Sequence, residues 1–226
     1  WADASDTPGE ALWDSDPARA AEPHMALFEP YADTSLPMLD LGCGNGTQTR
    51  WFAGRYPRAV GVDQSAAAVR HARRAALTST AEFLQLDLVE TEQVRKLHNR
   101  LGDVNVYMRA VLDQCEPQDR PAVAEAVAEL IGERGRAFVV DPLPSGLAML
   151  CEMARQPGGL PPKLAKLVRY GLRAGGMEEE TVPGLLRAAG LTVLGRGETV
   201  LALTEHRPDG TPLDLPAQWL VTGRSE

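Results

Sequence analysis

Three aspartates, Asp40, Asp63 and Asp87, stand in or at the ends of the short apolar runs 38–41, 59–63 and 81–87, and a glycine at every second position, Gly42, Gly44 and Gly46, follows the first of them. Carboxylates so placed accept hydrogen bonds from the hydroxyl, amine and ammonium groups of a ligand, and charge-assisted bonds of that kind are the strong ones. Alternate glycines permit backbone conformations closed to a Cβ and let the chain lie against a bound molecule. The helix expected from Gly46 onward presents unpaired N–H groups at its start. Together these residues suit recognition of a nucleotide-like ligand.

Spacing separates two ligand classes. The dinucleotide fingerprint G-x-G-x-x-G needs its third glycine at the position of Thr47, and here the pattern is instead D-x-G-x-G-x-G from Asp40 to Gly46. An inward carboxylate repels a pyrophosphate but accepts from an ammonium group, so a dehydrogenase is disfavoured. The motif resembles the first motif of the class I methyltransferases that use S-adenosylmethionine, and the resemblance covers about residues 36 to 224. It implies a doubly wound α/β fold with seven strands, mostly parallel, the last antiparallel and lying between the fifth and sixth. It also implies that the glycine turn lies against the methionine part and ribose, with Asp40 near the amino group. Asp63, 17 residues after Gly46, is placed to accept the ribose hydroxyls, and Asp87 lies beside the adenine amine. The cofactor-contacting set is then Asp40, Gly42, Cys43, Gly44, Gly46, Asp63, Gln64, Asp87, Leu88 and Arg109, with S-adenosylhomocysteine as product. Acids also start helices as N-caps, which accounts for Asp63 or Asp87 singly but poorly for the set.

The acceptor side is less determined. Family members that methylate planar amide or adenine nitrogens carry N/D-P-P-Y/F/W after the fourth strand, and Arg109-Ala110-Val111-Leu112 has neither the prolines nor the aromatic. It is similar to small-molecule members in which an apolar pair precedes a histidine, with Asp113 and Gln114 standing where that histidine would be. Methyl transfer from a sulfonium is an in-line displacement that needs alignment and exclusion of water. A hydroxyl acceptor also needs a base, which contributes ~10²–10⁴ in rate, whereas an amine or an electron-rich carbon needs positioning alone. The candidate catalytic residues are His206, after the long sixth-strand region, and Asp113. Trp13, Met149, Met153 and Tyr170 are the candidates for acceptor contact, methionine being suited to bulky organic molecules.

Strand-like and helix-like segments alternate from Met38 to Val140, the mark of a parallel sheet with crossover helices. Strands are expected near 37–41, 59–63, 82–86, 103–107 and 135–140, with helices over 46–55, 65–77, 91–99 and 118–132. Residues 1–35 read as an arm able to fold over the cofactor as a lid, and 36–226 as the methyltransferase domain. Within it, 142–177 is an insertion, two helices over 145–155 and 163–173, read as a cap on the acceptor. The chain is expected to close with a helix over 178–189, extended structure over 191–205 broken by Gly195 and Gly197, and a strand at 218–222.

Composition narrows the partners. At 226 residues with 44% hydrophobic and 24% charged residues, the chain fits one α/β domain. Net charge is −8, and residues 1–33 hold eight acids against Arg19 alone. With no basic cluster to grip phosphates, nucleic acid is disfavoured as a partner. No apolar run reaches the ~20 residues that cross a bilayer. Three cysteines, Cys43, Cys115 and Cys151, lack metal or disulfide spacing, so no metal is expected and a cytoplasmic location is. The reading is methyl transfer to oxygen, nitrogen or carbon of a small organic acceptor, in specialised metabolism, by a monomer or homodimer. The alternatives are a non-methylating rearrangement on the same cofactor and a non-catalytic binding module.

Overall fold

Buried apolar runs form five parallel strands, β1 (Met38–Leu41), β2 (Ala59–Asp63), β3 (Glu82–Gln85), β4 (Asn105–Arg109) and β5 (Ala137–Pro142). The computed structural model describes residues 11–156, 159–169, 177–207 and 209–225. Helix α1 (Ala21–Phe28) precedes β1, and α2 (Thr47–Phe52), α3 (Ala66–Ala75), α4 (Thr91–Leu101) and α5 (Arg120–Ile131) are the crossovers. Ser65 caps α3 by accepting from the Ala68 N–H at 3.3 Å, and Pro121 sits in the first turn of α5, where its missing N–H does least harm. After β5 come α6 (Pro144–Arg155), α7 (Pro162–Arg169) and α8 (Thr181–Ala188), then the hairpin β6 (Thr192–His206) and β7 (Pro212–Gly223).

The sheet order is β3-β2-β1-β4-β5-β7-β6, with β7 antiparallel to both neighbours. Strand order therefore reverses between β1 and β4, and crossovers leave that point in opposite directions, opening a crevice at the strands' carboxyl ends. Each face carries its own core. Val106, Met108 and Val139 pack with α4, α5 and α8, whereas Met38, Tyr107, Phe138 and Val140 pack with α1 and α2. Among the described residues no helix is long and apolar enough to cross a membrane.

Three expectations shift. The fourth strand, expected from 103, begins at Asn105, because Asp103 turns aside to accept the N–H groups of Glu133 and Arg134 at 3.0 Å. Gly195 and Gly197 do not break β6. Gly195 lets Tyr31 and Gly197 lets the Trp219 ring of β7 lie on the strand; a Cβ at Gly195 would stand 2.6 Å from the Tyr31 hydroxyl and one at Gly197 2.8 Å from Trp219 Nε1. The last strand starts at Pro212 rather than near 218, closing the hairpin over the Asp209–Gly210 turn. In the region of the arm, Leu12, Ala21, Met25 and Phe28 are core residues. Likewise Leu150 and Met153 of α6 and Leu164 of α7 enter the α1 layer; the expected end of the second inserted helix, with Tyr170, lies outside the described residues.

Candidate functional site

The turn after β1 is held by its own backbone. The N–H groups of Gly42 and Cys43 both reach the Val62 carbonyl, at 2.9 and 3.0 Å, and the Gly46 N–H reaches the Cys43 carbonyl at 2.9 Å. The Gly44 N–H donates to Asp63 Oδ2 at 3.0 Å. Such a loop has its donors engaged, so it offers little to a pyrophosphate and leaves carboxylates as the groups facing a ligand. Gly42, Gly44 and Gly46 all lie in the left-handed region, at φ 71°, 54° and 76°.

Asp40 is buried on β1, and its Oδ2 accepts from the Thr49 hydroxyl of α2 at 2.5 Å. Burial pushes its pKa up to about 7, against the pull of the Thr49 bond and the Arg109 charge. An ammonium ligand would draw it back to the ionised form. Asp63, at the end of β2, accepts from Gly44 with one oxygen and from the Ser65 N–H at 2.8 Å with the other, and burial raises its pKa. Each oxygen retains a lone pair for a ligand hydroxyl. Beyond β3 a groove of about 620 Å³ is lined by Gln64, Ser65, Gln85, Asp87 and Gln93. Asp87 Oδ1 holds its loop by accepting from the Val89 N–H at 3.1 Å, while Leu88 packs on the core beneath. A nucleoside bearing hydroxyls and an ammonium group fits this donor-poor, acid-lined edge.

Arg109, at the end of β4, ties the N-terminal segment to the site. It donates to the carbonyls of Trp13 at 2.9 Å and Ala202 at 2.6 Å, and its Nε is sealed from solvent with no partner among the described residues. Asp14 accepts from the Thr47 hydroxyl at 2.6 Å, and Gln48 Nε2 donates to the Ser15 carbonyl at 2.7 Å. Residues 13–15 are thus strapped across the start of α2. Trp13 is half-buried against the α1 core layer.

The acceptor-side candidates do not gather at one point. His206 is exposed at the far end of β6, whereas Asp113 is buried in the loop after β4. Met149 is half-buried on α6, with Arg207 Nη2 3.3 Å from its sulfur, and Met153 is buried one turn further on. His24 is buried, with Nδ1 2.9 Å from the Tyr107 hydroxyl and its ring 5.2 Å from that of Phe138. Burial and the Arg109 charge lower its pKa to about 4, so it stays neutral near pH 7.

Asp141, which the sequence offers with Asp113 and Tyr170 as a further candidate base, is fully buried at the end of β5. Its Oδ1 accepts from the Asp113 N–H at 3.1 Å, and Oδ2 has no partner among the described residues. Burial first, then the Asp113 charge, raises its pKa to about 8. A carboxyl raised this way contributes stability that is fully present below the ordinary carboxylate pKa of 3.8 and is lost as pH rises through about 8. Asp141→Asn keeps the neutral shape, so the variant should match the parent near pH 4 and exceed it by on the order of a few kcal/mol at pH 9. Urea unfolding at both pH values checks this, and identical pH profiles would refute it.

A family model described as a methyltransferase domain matches residues 38–135. No curated protein matches the chain in sequence. The crystal structure of a SAM-dependent methyltransferase from Anabaena variabilis ATCC 29413 is 27% identical, covers 98% of this chain and 89% of its own, and superposes with a TM-score of 0.90. A protein solved in the context of converting a disulfide bond into a thioacetal group during echinomycin biosynthesis is 19% identical over 97% of this chain and 88% of its own, with a TM-score of 0.69. Magnesium protoporphyrin IX methyltransferase from Synechocystis PCC 6803, with bound SAH, is 22% identical over 84% of this chain and 75% of its own, at a TM-score of 0.55; the last two likenesses speak for the fold alone. The D-x-G-x-G-x-G turn, the strand order and the matched domain agree: residues 38–135 form a methyltransferase domain, and the chain has the fold of the class I S-adenosylmethionine-dependent methyltransferases.

Proposed function

We propose that this methyltransferase acts on a small or medium-sized organic acceptor, at oxygen, nitrogen or carbon, with the acids of the sheet edge holding the donor. The observation that carries the donor site is the glycine turn whose N–H groups are engaged internally beside Asp40 and Asp63. When bound, the cofactor supplies an electrophilic methyl on a sulfonium. Asp63 accepts the ribose hydroxyls, Asp40 accepts the ammonium group, and Asp87 with Gln64 and Leu88 borders the adenine. Gly42, Cys43, Gly44 and Gly46 supply the floor, and Arg109 fixes the segment that walls the site.

A small acceptor is supported by the net charge of −8 and by a sequence whose Lys/Arg clusters are too short to grip a phosphate backbone. Trp13, Met149 and Met153 pack in or against the α1 layer and are the side chains we assign to acceptor contact, with residues 1–35 as the closing arm and 142–177 as the cap; Tyr170 belongs to the same proposal from sequence. If the acceptor is a hydroxyl, His206 is the base reachable from solvent, and Asp113 the base inside the loop after β4.

Calorimetry with S-adenosylmethionine, S-adenosylhomocysteine, NAD and NADP tests the donor site. Saturable heats with the first two and none with the dinucleotides are expected, and the reverse would overturn the assignment. Labelled methyl donor with candidate metabolites and mass analysis then reads the product. His206→Ala should lower turnover by ~10²-fold or more with cofactor affinity unchanged, and full activity in that variant removes His206 from the mechanism.

A further inference from the structure

β6 is the last strand of the sheet, and its outer backbone edge is covered along only part of its length. At the hairpin end the N-terminal segment closes it: the Thr204 N–H donates to the Leu12 carbonyl at 3.0 Å, and the Ala202 carbonyl accepts from Arg109 and from the Ser15 hydroxyl. These even-numbered residues point their polar backbone groups away from β7. The register with β7 runs without interruption from Gly195 to Ala202, so Arg196 and Glu198 point theirs outward too. Among the described residues, no other element takes the edge between Gly195 and Thr199.

The side chains on this stretch form a self-complementary series. Leu194, Arg196, Glu198 and Val200 are exposed on one face, with Leu194 at 37% and Val200 at 46%. Laid antiparallel on itself about Gly197, the series sets Arg196 opposite the partner's Glu198, Glu198 opposite the partner's Arg196, and the two apolar residues opposite each other. Both charge pairs fall at positions where the two strands exchange hydrogen bonds, and opposite charges directly across strands attract while like charges repel. Any other register places like charges together or leaves them unmatched. Arg196 already gives Nη1 to Glu180 at 2.7 Å, and its planar fork has further donors for a second carboxylate. Glu198 has no ion-pair partner among the described residues. A two-fold axis is what one patch paired with its own copy requires.

We infer that β6 is a homodimer edge: two copies pair antiparallel through residues 195–199, joining their sheets across a two-fold axis at Gly197. The bulge between Val193 and Gly195 ends the ladder on one side and the covering N-terminal segment ends it on the other, so the pairing is short and the dimer dissociates on dilution.

Sedimentation of the full chain over a wide concentration range tests this. The parent should show a reversible monomer–dimer equilibrium, and Arg196→Glu and Glu198→Arg should each weaken dimerisation at least tenfold by creating like-charge pairs. The combined exchange R196E/E198R restores opposite charges across the axis and should recover most of the parent's association. Glu198→Arg leaves the Arg196–Glu180 pair in place, and a melting temperature close to the parent's separates lost pairing from lost folding. A parent that is monomeric at every concentration, a dimer indifferent to the single exchanges, or an exchange that fails to recover would each overturn the inference.

Discussion

Gly46→Ala should lower the melting temperature by roughly 4–20 °C and reduce cofactor affinity by ~100-fold or more. Two costs add at this position. At φ 76° an alanine sits in the left-handed region, at about 1–2 kcal/mol. Its Cβ would also stand 2.3 Å from Phe83 Cε1 and 3.1 Å from the Ala72 Cβ. Phe83 is buried with Val69, Ala72 and Cys43, so it has no open space to take, and overpacking of this kind costs ~1–3 kcal/mol. Against a total stability of about 5–15 kcal/mol the sum is large, and at about 2–4 °C per kcal/mol for a chain of this size it gives the stated range. The affinity falls because relief of the clash moves the turn away from Asp63, which is bonded to it through Gly44. Adding Phe83→Leu removes the ring edge but not the backbone strain, so it should return part of the stability and little of the binding. A melting temperature within 2 °C of the parent's in Gly46→Ala would refute the account.

The contrast between this turn and the rest of the site explains what the sequence discloses. Gly42 to Gly46 are legible because the demand they meet is local, a backbone conformation and a close approach inside five residues. The strand ends carrying Asp40 and Asp63 follow from short apolar runs that alternation with helices forces into a parallel sheet. The long-range placements are not legible in this way. His24 looks like an arm histidine until α1 packs it on Tyr107, 83 positions further along the chain. Gly195 and Gly197 read as breaks in extended structure, since nothing nearby in sequence says that Tyr31 and Trp219 will cover them. Asp141 reads from sequence as one more candidate base, and only the loop after β4 folding over it shows a buried carboxyl held by the Asp113 N–H. The same limit holds for His206, which follows the sixth strand as expected, but at the exposed end of a hairpin whose length the glycines concealed.

Arg109→Met should cost ~3–5 kcal/mol and free the N-terminal segment, read as faster amide exchange over residues 11–28. The guanidinium makes charge-assisted bonds to two backbone carbonyls from distant parts of the chain, Trp13 and Ala202, and reaches the Ser15 hydroxyl at 3.5 Å. Hydrogen bonds to a charged group are worth about 1.5–3 kcal/mol each. Methionine fills the stem's volume but leaves both carbonyls without this donor, and leaves Asp40 without the positive charge that holds its pKa down. The Asp40 carboxyl should then be neutral over more of the range around pH 7, so binding of a cationic cofactor should weaken and its pH dependence should move to higher pH. Arg109→Lys keeps a charge but not the planar fork that reaches two acceptors, and it should recover the pH profile better than the exchange protection. Three observables therefore move for different reasons: stability from the carbonyls, exchange from the strap, and the pH profile from Asp40. If exchange over residues 11–28 is unchanged in Arg109→Met, the side chain does not hold the strap. If the pH profile alone is unchanged, its charge does not govern Asp40.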